Sequence, residues 1–295
     1  MKKSFVILLA LFLCFLSTGC NAPTKGLDFD AENGEWTVDM GEFCTDKSIV
    51  IPAEHDGLPV TKIGSFAYSD IKSIKIPDSV TTIRYEAFLH CLNLKSITIP
   101  ENVTTIGESA FAECESLKDF HIPKSVTSIG EKAFYGCKSL KSVTVAEDNP
   151  VFEVKGNCLI DKTTKTLVLG FNDSVIPTDG SVEIIGNYAF ALCESIDNIV
   201  IPDSVIAIGN YAFSNCIGIT NITIPDSVTS IGNYAFSNCI GLTDITIPDS
   251  VKKIGSCPFE KCKNLKNIYC EATEQPPDWA TSWKWECTAT AVWGA

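Results

Sequence analysis

Residues 208–218 read IGNYAFSNCIG, and residues 231–241 read the same eleven letters again, 23 positions further along the chain. The prolines that follow an isoleucine have the same spacing in two series, which are Pro77, Pro100 and Pro123, then Pro202, Pro225 and Pro248. A strict period of this length is typical of solenoids, in which each repeat forms one turn. The sequence therefore predicts a repeat solenoid in two blocks.

The repeated line is L-x-x-I-x-I-P-x-S-V-x-x-I-G-x-x-A-F-x-x-C, and residues 242–262 show it as LTDITIPDSVKKIGSCPFEKC, with proline in the alanine place. In the first block, Ile97 and Ile99 alternate with Ser96 and Thr98, which is the pattern of a half-buried strand. The proline that follows lacks an N–H group and ends the strand. Periods built on this pattern are typical of leucine-rich repeats, so the expected fold is a leucine-rich repeat solenoid lined by β-strands.

The ends and the middle of the array depart from the period. A stack of turns exposes its core at both ends, so each end needs a cap. We predict an N-terminal β cap at residues 28–60, repeats at residues 61–270 and a tryptophan-rich C-terminal cap at residues 271–295. From Pro123 to the next isoleucine–proline pair the chain takes 54 residues where two periods of 23 take 46, and alternating runs at residues 146–176 predict a β-hairpin that bulges from the solenoid.

The N-terminus has the features of an export signal. Residues 1–19 contain two lysines, an apolar run and small residues, and the run is too short to cross a bilayer as a helix. The segment LSTGC, which ends at Cys20, resembles a bacterial lipobox, in which the cysteine receives a lipid and begins the mature chain. We predict a lipoprotein signal at residues 1–19, lipidation of Cys20, membrane attachment through that lipid, and a short linker at residues 20–27. An ordinary cleaved signal is the alternative.

The net charge argues against a nucleic-acid partner. The whole chain has 23 basic and 36 acidic side chains, and removal of residues 1–19 takes away two lysines, which leaves 21 minus 36, or −15. Nucleic-acid binding requires a basic face that neutralises phosphates. We therefore expect no nucleic acid among the partners.

Seven cysteines occupy one place in the repeat, three positions after the phenylalanine: Cys91, Cys114, Cys137, Cys193, Cys216, Cys239 and Cys262. Equivalent positions of neighbouring turns stack with parallel Cβ atoms, whereas a disulfide and a zinc site both need side chains that converge. A nucleophile would need one thiol singled out by a base or a cation. We predict buried, free cysteines that act as small apolar side chains. Near the C-terminal cap, a Cys270–Cys287 disulfide is a separate hypothesis.

The chain contains no pattern of a catalytic, metal or cofactor site. Its three histidines are not spaced for a metal, and no nucleophile elbow, phosphate loop or dinucleotide fingerprint occurs. We therefore predict a protein that is not an enzyme and has no cofactor. Function in a solenoid then falls to the exposed side of its strands.

One charged row stands out on that side. Lysine recurs at one place of the first block, and the same place holds Asp197, Thr220 and Thr243 in the second. A basic row on an acidic protein predicts a docking strip for an acidic partner; a solvated row retained by duplication of the repeat is the alternative. The candidate binding residues are Lys72, Lys95, Lys118, Lys141, Asp119 and His121.

With the line I-x-I-P-x-S-V-x-x-I-G-x-x-A-F-x-x-C in seven turns, the chain closely resembles the BspA-like bacterial leucine-rich repeat proteins over about residues 43–270. The resemblance implies a curved, right-handed solenoid on an exported protein, and several members of this family bind host matrix proteins or other cells. The family's repeat defines no shared catalytic residue or ligand.

The resemblance and the lipobox together predict a lipid-anchored protein at the bacterial cell envelope, exposed at the surface. We expect it to mediate binding or adhesion through an extracellular or host surface protein. A glycan-binding surface lipoprotein is the alternative, and it is disfavoured because the outward strand columns contain one aromatic residue, Tyr269.

Overall fold

The computed structural model describes residues 22–295 and contains no helix within them. The predicted signal and Cys20 lie outside the described residues. The chain begins with five strands, which are β1 (Asp28–Glu32), β2 (Glu35–Asp39), β3 (Ser48–Val50), β4 (Glu54–His55) and β5 (Leu58–Ile63). β1 and β2 form an antiparallel hairpin, and β2 then pairs in parallel with β5. Cys44 is buried among these strands.

The first block continues with β6 (Ser73–Lys75), β7 (Thr82–Ile83), β8 (Thr105–Ile106), β9 (Phe120–Ile122), β10 (Ser128–Ile129) and β11 (Val143–Val145). Three strands follow in the insertion, which are β12 (Phe152–Lys155), β13 (Cys158–Asp161) and β14 (Thr166–Leu169). The second block and the C-terminal region contain β15 (Ile184–Ile185), β16 (Asn198–Val200), β17 (Ala207–Ile208), β18 (Asn221–Thr223), β19 (Ser230–Ile231), β20 (Asp244–Ile247), β21 (Lys253–Ile254), β22 (Asn267–Cys270) and β23 (Thr290–Trp293).

Each regular turn supplies strands to two parallel ladders, which confirms the solenoid; each ladder is interrupted between the blocks, and the first also within them. The first ladder contains what we call the I-x-I strands, which are β3, β6, β9, β11, β16, β18, β20, β22 and β23. The second contains the short strands that end at the Ile-Gly pair, which are β5, β7, β8, β10, β15, β17, β19 and β21. In the regular turns the residues that pair are 23 positions apart, as Asn198 with Asn221 and Ala207 with Ser230, whereas the spacing is 25 between β3 and β6 and 20 between β5 and β7. Residues 95–99 keep the same buried and exposed alternation without being assigned as a strand.

The third part of each turn is a corner built from the A-F-x-x-C segment. Its phenylalanines are buried and stack on those of neighbouring turns with ring centroids 5.2–5.9 Å apart. The stack is in two parts, with Phe66, Phe88, Phe111 and Phe134 in one and Phe190, Phe213, Phe236 and Phe259 in the other. The two blocks seen in the sequence therefore correspond to two separate aromatic stacks.

The insertion contains the predicted antiparallel strands, but they are packed into the solenoid and do not bulge from it. β12, β13 and β14 form an antiparallel three-stranded arrangement, and β14 then pairs in parallel with β15 of the second block. Along β13, Cys158 and Ile160 belong to the core of the second block, whereas Leu159 belongs to the core of the first. Because alternate residues of a strand point to opposite sides, β13 lies between the two cores and separates them.

The C-terminal region keeps the 23-residue spacing between paired strands, although its amino-acid sequence does not match the repeat. β23 pairs in parallel with β22, and Asn267 lies opposite Thr290, which is again 23 positions further. Trp279 and Trp283 are buried against the second core, and Trp293 packs on Trp279 with ring centroids 5.6 Å apart. The tryptophans thus cover the edge of the core on a degenerate further turn.

Candidate binding face and junction cleft

The lysine row lies immediately before the I-x-I strands of the first block. Lys72, Lys95, Lys118 and Lys141 are all exposed, and no carboxylate of residues 22–295 lies within ion-pair distance of any of them. The Lys118 N–H donates to the Lys95 carbonyl oxygen at 3.2 Å, so these two lysines lie on adjacent turns. Since neighbouring strands are about 4.8 Å apart, the backbone positions of the four lysines repeat at about that spacing along the solenoid.

The structure adds Lys47 to this row. Ser48 pairs with Ser73, so Lys47 and Lys72 hold equivalent places, and the Lys72 N–H donates to the Lys47 carbonyl oxygen at 2.7 Å. Lys47 and Lys72 are 25 residues apart, so aligning the sequence with a period of 23 does not show that their places are equivalent. The letters KSIVIP at 47–52 and KSIKIP at 72–77 carry the signal that could have revealed it. Lys47 differs from the other four because Asp70 pairs with it at 3.4 Å.

Hydroxyl groups and the two other candidate residues surround the row. His121 pairs with Thr144 across β9 and β11, and its Nδ1 lies 2.9 Å from the Thr144 Oγ1. Asp119 is exposed next to Lys118 and is the one acid in a column that otherwise holds serines in this block, which are Ser73, Ser96 and Ser142. Structure and sequence therefore place all six candidate residues on one exposed side. Ammonium and hydroxyl donors there outnumber acids, so the surface favours anions.

The equivalent surface of the second block has no such row. Asp197 occupies the lysine place in its first turn, and its Oδ1 accepts a hydrogen bond from the Asn198 N–H at 2.7 Å. Thr220 and Thr243 follow in the next two turns, and Lys266 is the one lysine in this column, in the last turn. The two blocks thus share their core and differ in the charge of their outward surface.

The cysteine ladder is buried and free, and it contributes hydrogen bonds that the sequence did not predict. Every ladder thiol except that of Cys193 donates to the carbonyl oxygen of the phenylalanine one turn earlier, as Cys216 does to Phe190 and Cys239 to Phe213, both at 3.1 Å. That carbonyl also accepts the N–H of the cysteine in its own turn, as Cys216 donates to Phe213 at 3.2 Å. The conserved spacing of phenylalanine and cysteine within the repeat therefore satisfies both lone pairs of a buried carbonyl.

Burial raises the pKa of most ladder thiols, whereas the pKa of Cys91 is lowered, first by its hydrogen bond with Cys114. Desolvation raises the pKa of Cys137, Cys193 and Cys262 to about 12 from the ordinary value of 9.0. A thiol with a raised pKa is a poor nucleophile. Cys270 and Cys287 are also free, so the structure does not form the hypothesised disulfide. Within residues 22–295, no group of three acidic, histidine or cysteine side chains is placed to hold a metal ion.

The junction between the blocks breaks the corner pattern. In five other turns the phenylalanine N–H donates to the alanine carbonyl of the next turn, and at the junction the Gly170 N–H makes this bond to Ala189 at 2.7 Å. Gly170 therefore stands in the place of a phenylalanine. A Cβ atom added there would lie 2.0 Å from the Phe190 ring, because that ring occupies part of the space. The thiol of Cys193 lies 3.7 Å from the Gly170 oxygen, longer than the 3.0–3.2 Å of the other rungs.

The missing aromatic ring leaves two clefts at this junction. One has a volume of about 300 Å³ and lies beside Lys132, Tyr135 and Tyr188. The other has a volume of about 380 Å³ and lies beside Lys138, Lys141 and Asp173. Both share a floor of three apolar residues, which are Phe134, Leu169 and Ala191. We call the second of these the junction cleft.

The tyrosines of the second block form a row on the corner, away from the lysine row. Tyr188, Tyr211 and Tyr234 stack with centroids 4.8 Å apart, and Lys132 lies 4.6 Å from the Tyr188 ring centroid. Because the facing ring surfaces contact each other, the middle ring, Tyr211, presents only its edge and hydroxyl group to solvent. This arrangement does not offer the open ring faces on which sugars stack.

A family model described as the BspA type leucine rich repeat region matches six copies in residues 61–179 and 183–275. These residues make up more than two thirds of the chain, and the match confirms the resemblance seen in the repeat. No curated protein sequence matches the chain significantly. Within the described residues, no helix has the length and apolar character needed to cross a membrane.

Solved structures of bacterial leucine-rich repeat proteins share the fold. A leucine-rich repeat protein from Eubacterium ventriosum is 19% identical, with a TM-score of 0.68 over 92% of this chain and 83% of the other. The pneumococcal vaccine antigen PcpA is 20% identical, with a TM-score of 0.63 over 92% of this chain and 85% of the other. A leucine-rich cell surface protein from Faecalibacterium prausnitzii is 23% identical, with a TM-score of 0.50 over 94% and 95%.

Proposed function

Because this chain belongs to the BspA-type leucine-rich repeat proteins, we propose that it is a surface-exposed, lipid-anchored protein that binds an extracellular or host surface protein. The lysine row carries this proposal. Its four ammonium groups have no ion-pair partner among residues 22–295 and stand on a protein with an acidic balance, so they are the part of the surface most suited to an acidic partner. One structural relative is named as a cell surface protein, which supports the proposed location.

A lysine row of this kind mainly increases the rate at which an acidic partner associates and helps to orient that partner. Exposed ammonium groups contribute little to folding, because water and salt screen them. A row of like charges nevertheless raises the association rate of an oppositely charged partner, and the gain falls with ionic strength. We therefore expect binding that weakens steeply with salt.

Glycan binding has less support as a function. The outward strand columns carry Tyr269 as their one aromatic residue, and the tyrosine row on the corner presents ring edges. Protein recognition by charge and shape fits this surface better than stacking on sugar rings does.

The test of the proposed function is binding of residues 21–295 to a panel of extracellular matrix and cell-surface proteins. A first variant carries Lys95→Glu and Lys118→Glu, which changes the net charge by −4. A matched variant carries Thr220→Glu, Thr243→Glu and Lys266→Glu, which changes the charge by the same amount in the second block. We expect the first variant to lose at least tenfold in affinity and the matched variant to bind as the native chain does.

Equal loss in both variants would show that overall charge, rather than the lysine row, controls binding. Absence of binding to every protein of the panel would remove the support for an adhesion role. Circular dichroism of the three proteins establishes that each is folded before the affinities are compared.

The proposed lipid anchor has its own test, which is metabolic labelling with a radioactive or clickable fatty acid in a bacterial host. We expect the full-length chain to take up the label and to fractionate with membranes. The Cys20→Ala variant should lose both properties. Uptake of label by this variant would contradict lipidation at Cys20.

A further inference from the structure

The lysine row ends at the junction cleft, so the two surface features that distinguish the first block and the junction adjoin each other. Lys141, the last lysine of the row, lines the cleft together with the apolar side chains of Phe134, Leu140 and Phe171. Lys138, the other cation at the cleft, is already paired with Glu115 at 2.6 Å. Lys141 has no ion pair among residues 22–295, so an unpaired ammonium group lies at a cavity that has an apolar floor and is also lined by Asn172 and Asp173.

We infer that the row and the junction cleft form one continuous site for an extended acidic peptide segment that carries a large apolar or aromatic residue at one end. This inference rests on the proposed function and specifies its partner. The acidic side chains lie along the lysines, and the apolar residue enters the cleft beyond Lys141.

The dimensions of the site fit such a segment. From Lys47 to Lys141 the row covers four turn-to-turn steps of about 4.8 Å, or about 19 Å. An extended peptide rises about 3.3 Å per residue, so about six residues span the row. The cleft has a volume of about 380 Å³, which accommodates one aromatic side chain.

The cleft exists because small residues line it. A glycine stands where the other turns have a phenylalanine, and an alanine forms part of the floor. Gly170 replaces the phenylalanine of its turn, and its N–H remains bound to the Ala189 carbonyl oxygen, so the backbone is fixed while the ring is absent. Ala191 contributes to the floor and is only partly buried. An apolar side chain from a partner would restore contacts that the regular corners make within the chain.

The apolar floor distinguishes a peptide from an anionic glycan. A sulfated or carboxylated glycan satisfies the lysines and offers no apolar group to the floor formed by Phe134 and Leu169. Burial of an aromatic side chain there removes apolar surface of both partners from water, which favours binding. The anchor residue should therefore add affinity beyond charge alone.

The test uses fluorescein-labelled peptides of six acidic residues with one phenylalanine added at either end, together with twins in which alanine replaces the phenylalanine. Fluorescence anisotropy measures their binding to residues 21–295. We expect one of the two phenylalanine peptides to bind about tenfold or more tightly than its alanine twin. Equal affinity of the twins for both placements would overturn the inference.

Two cleft variants make the test specific. Ala191→Leu fills the cleft, and we expect it to lower the affinity for the better phenylalanine peptide to that of its alanine twin, while the twin binds as before. Ala191→Ser keeps the cleft open and should bind both peptides as the native chain does. An Ala191→Leu protein that is folded and still prefers the phenylalanine peptide would also overturn the inference.

The outcomes separate this inference from the proposed function. If a panel protein binds through Lys95 and Lys118 while the peptide twins bind equally, the row is correct and the cleft is not an anchor site. If the Lys95→Glu, Lys118→Glu variant binds the peptides as tightly as the native chain, both the inference and the lysine row fail.

Discussion

The corner of the second block and the junction contain the same backbone and different side chains. At Phe213 the ring stacks on both neighbours, and its carbonyl oxygen accepts a thiol at 3.1 Å. At Gly170 the N–H makes the same bond to the next turn, but there is no ring, and the thiol lies 3.7 Å away. The regular corners thus repeat one arrangement, whereas the junction, where an insertion interrupts the period, contains a cavity.

The largest difference between the two regions should appear when a ring is removed. Phe213→Ala deletes a fully buried ring with neighbours on both sides, and we expect a loss of about 3–5 kcal/mol in the free energy of unfolding. Phe134→Ala removes a ring that stacks on Phe111 and borders the clefts, so we expect its loss in the free energy of unfolding to be about 2 kcal/mol smaller than that of Phe213→Ala. Urea denaturation measures both, and equal losses would contradict the comparison.

Alkaline pH tests the cysteine ladder of the regular corners. The folded pKa of Cys137, Cys193 and Cys262 is about 12, above the ordinary 9.0, so the folded chain holds protons that the unfolded chain releases. Their stabilisation is complete below pH 9 and is lost as the pH rises toward 12. Between pH 9 and 10 we expect the three thiols to lower the free energy of unfolding by about 3 kcal/mol.

Thermal denaturation at both pH values, under reducing conditions, provides the measurement. The Cys262→Ala variant is the control, because it removes one thiol with a raised pKa and should reduce the loss of stability between pH 9 and 10 by about 1 kcal/mol. A pH dependence that is the same in the native chain and the variant would show that the ladder does not cause it.

Filling the junction from within should have a smaller effect. Gly170→Ala places a Cβ atom 2.0 Å from the Phe190 ring, which then has to move. We expect a loss of about 1–3 kcal/mol, as overpacked cores generally show. A shift of the Phe190 resonances in an NMR spectrum would locate the change, and an unchanged stability would indicate that the junction is looser than the structure has it.

The lysine row should affect stability least. Its four unpaired side chains are exposed, so Lys95→Glu with Lys118→Glu should change the free energy of unfolding by no more than about 0.5 kcal/mol. Chemical denaturation of this variant measures the value. A loss of several kcal/mol would mean that the lysines stabilise the fold, and the row would then not be a free binding surface.

The repeat made most of this fold predictable, because every turn repeats one pattern of inward and outward residues. The packing of Leu159 into the first core was not predictable from the sequence. An alternating strand flanked by polar turns has the same sequence pattern whether one or both of its sides face a core. The thiol bonds of the ladder were missed because cysteine on an apolar face has no sequence signal for a hydrogen bond. Lys47 was missed because two extra residues in the first turn shift it out of the period.

The junction cleft could not be predicted from the sequence either. Gly170 is not marked as the counterpart of a phenylalanine by any spacing, since it lies 36 residues after Phe134 and 20 before Phe190. Only the hydrogen bond from its N–H to Ala189 establishes the equivalence. Departures from a repeat are thus seen in the structure, whereas the repeat itself is seen in the sequence.

Lysine footprinting of a complex tests the central claim most directly. The chain is acetylated with and without the protein partner that the panel identifies, and mass spectrometry measures the modification of each lysine. We predict that Lys72, Lys95, Lys118 and Lys141 are protected in the complex, while Lys252, Lys253 and Lys263 of the second block are modified as in the free chain. Protection of the second-block lysines alone would contradict the assignment of binding to the first block.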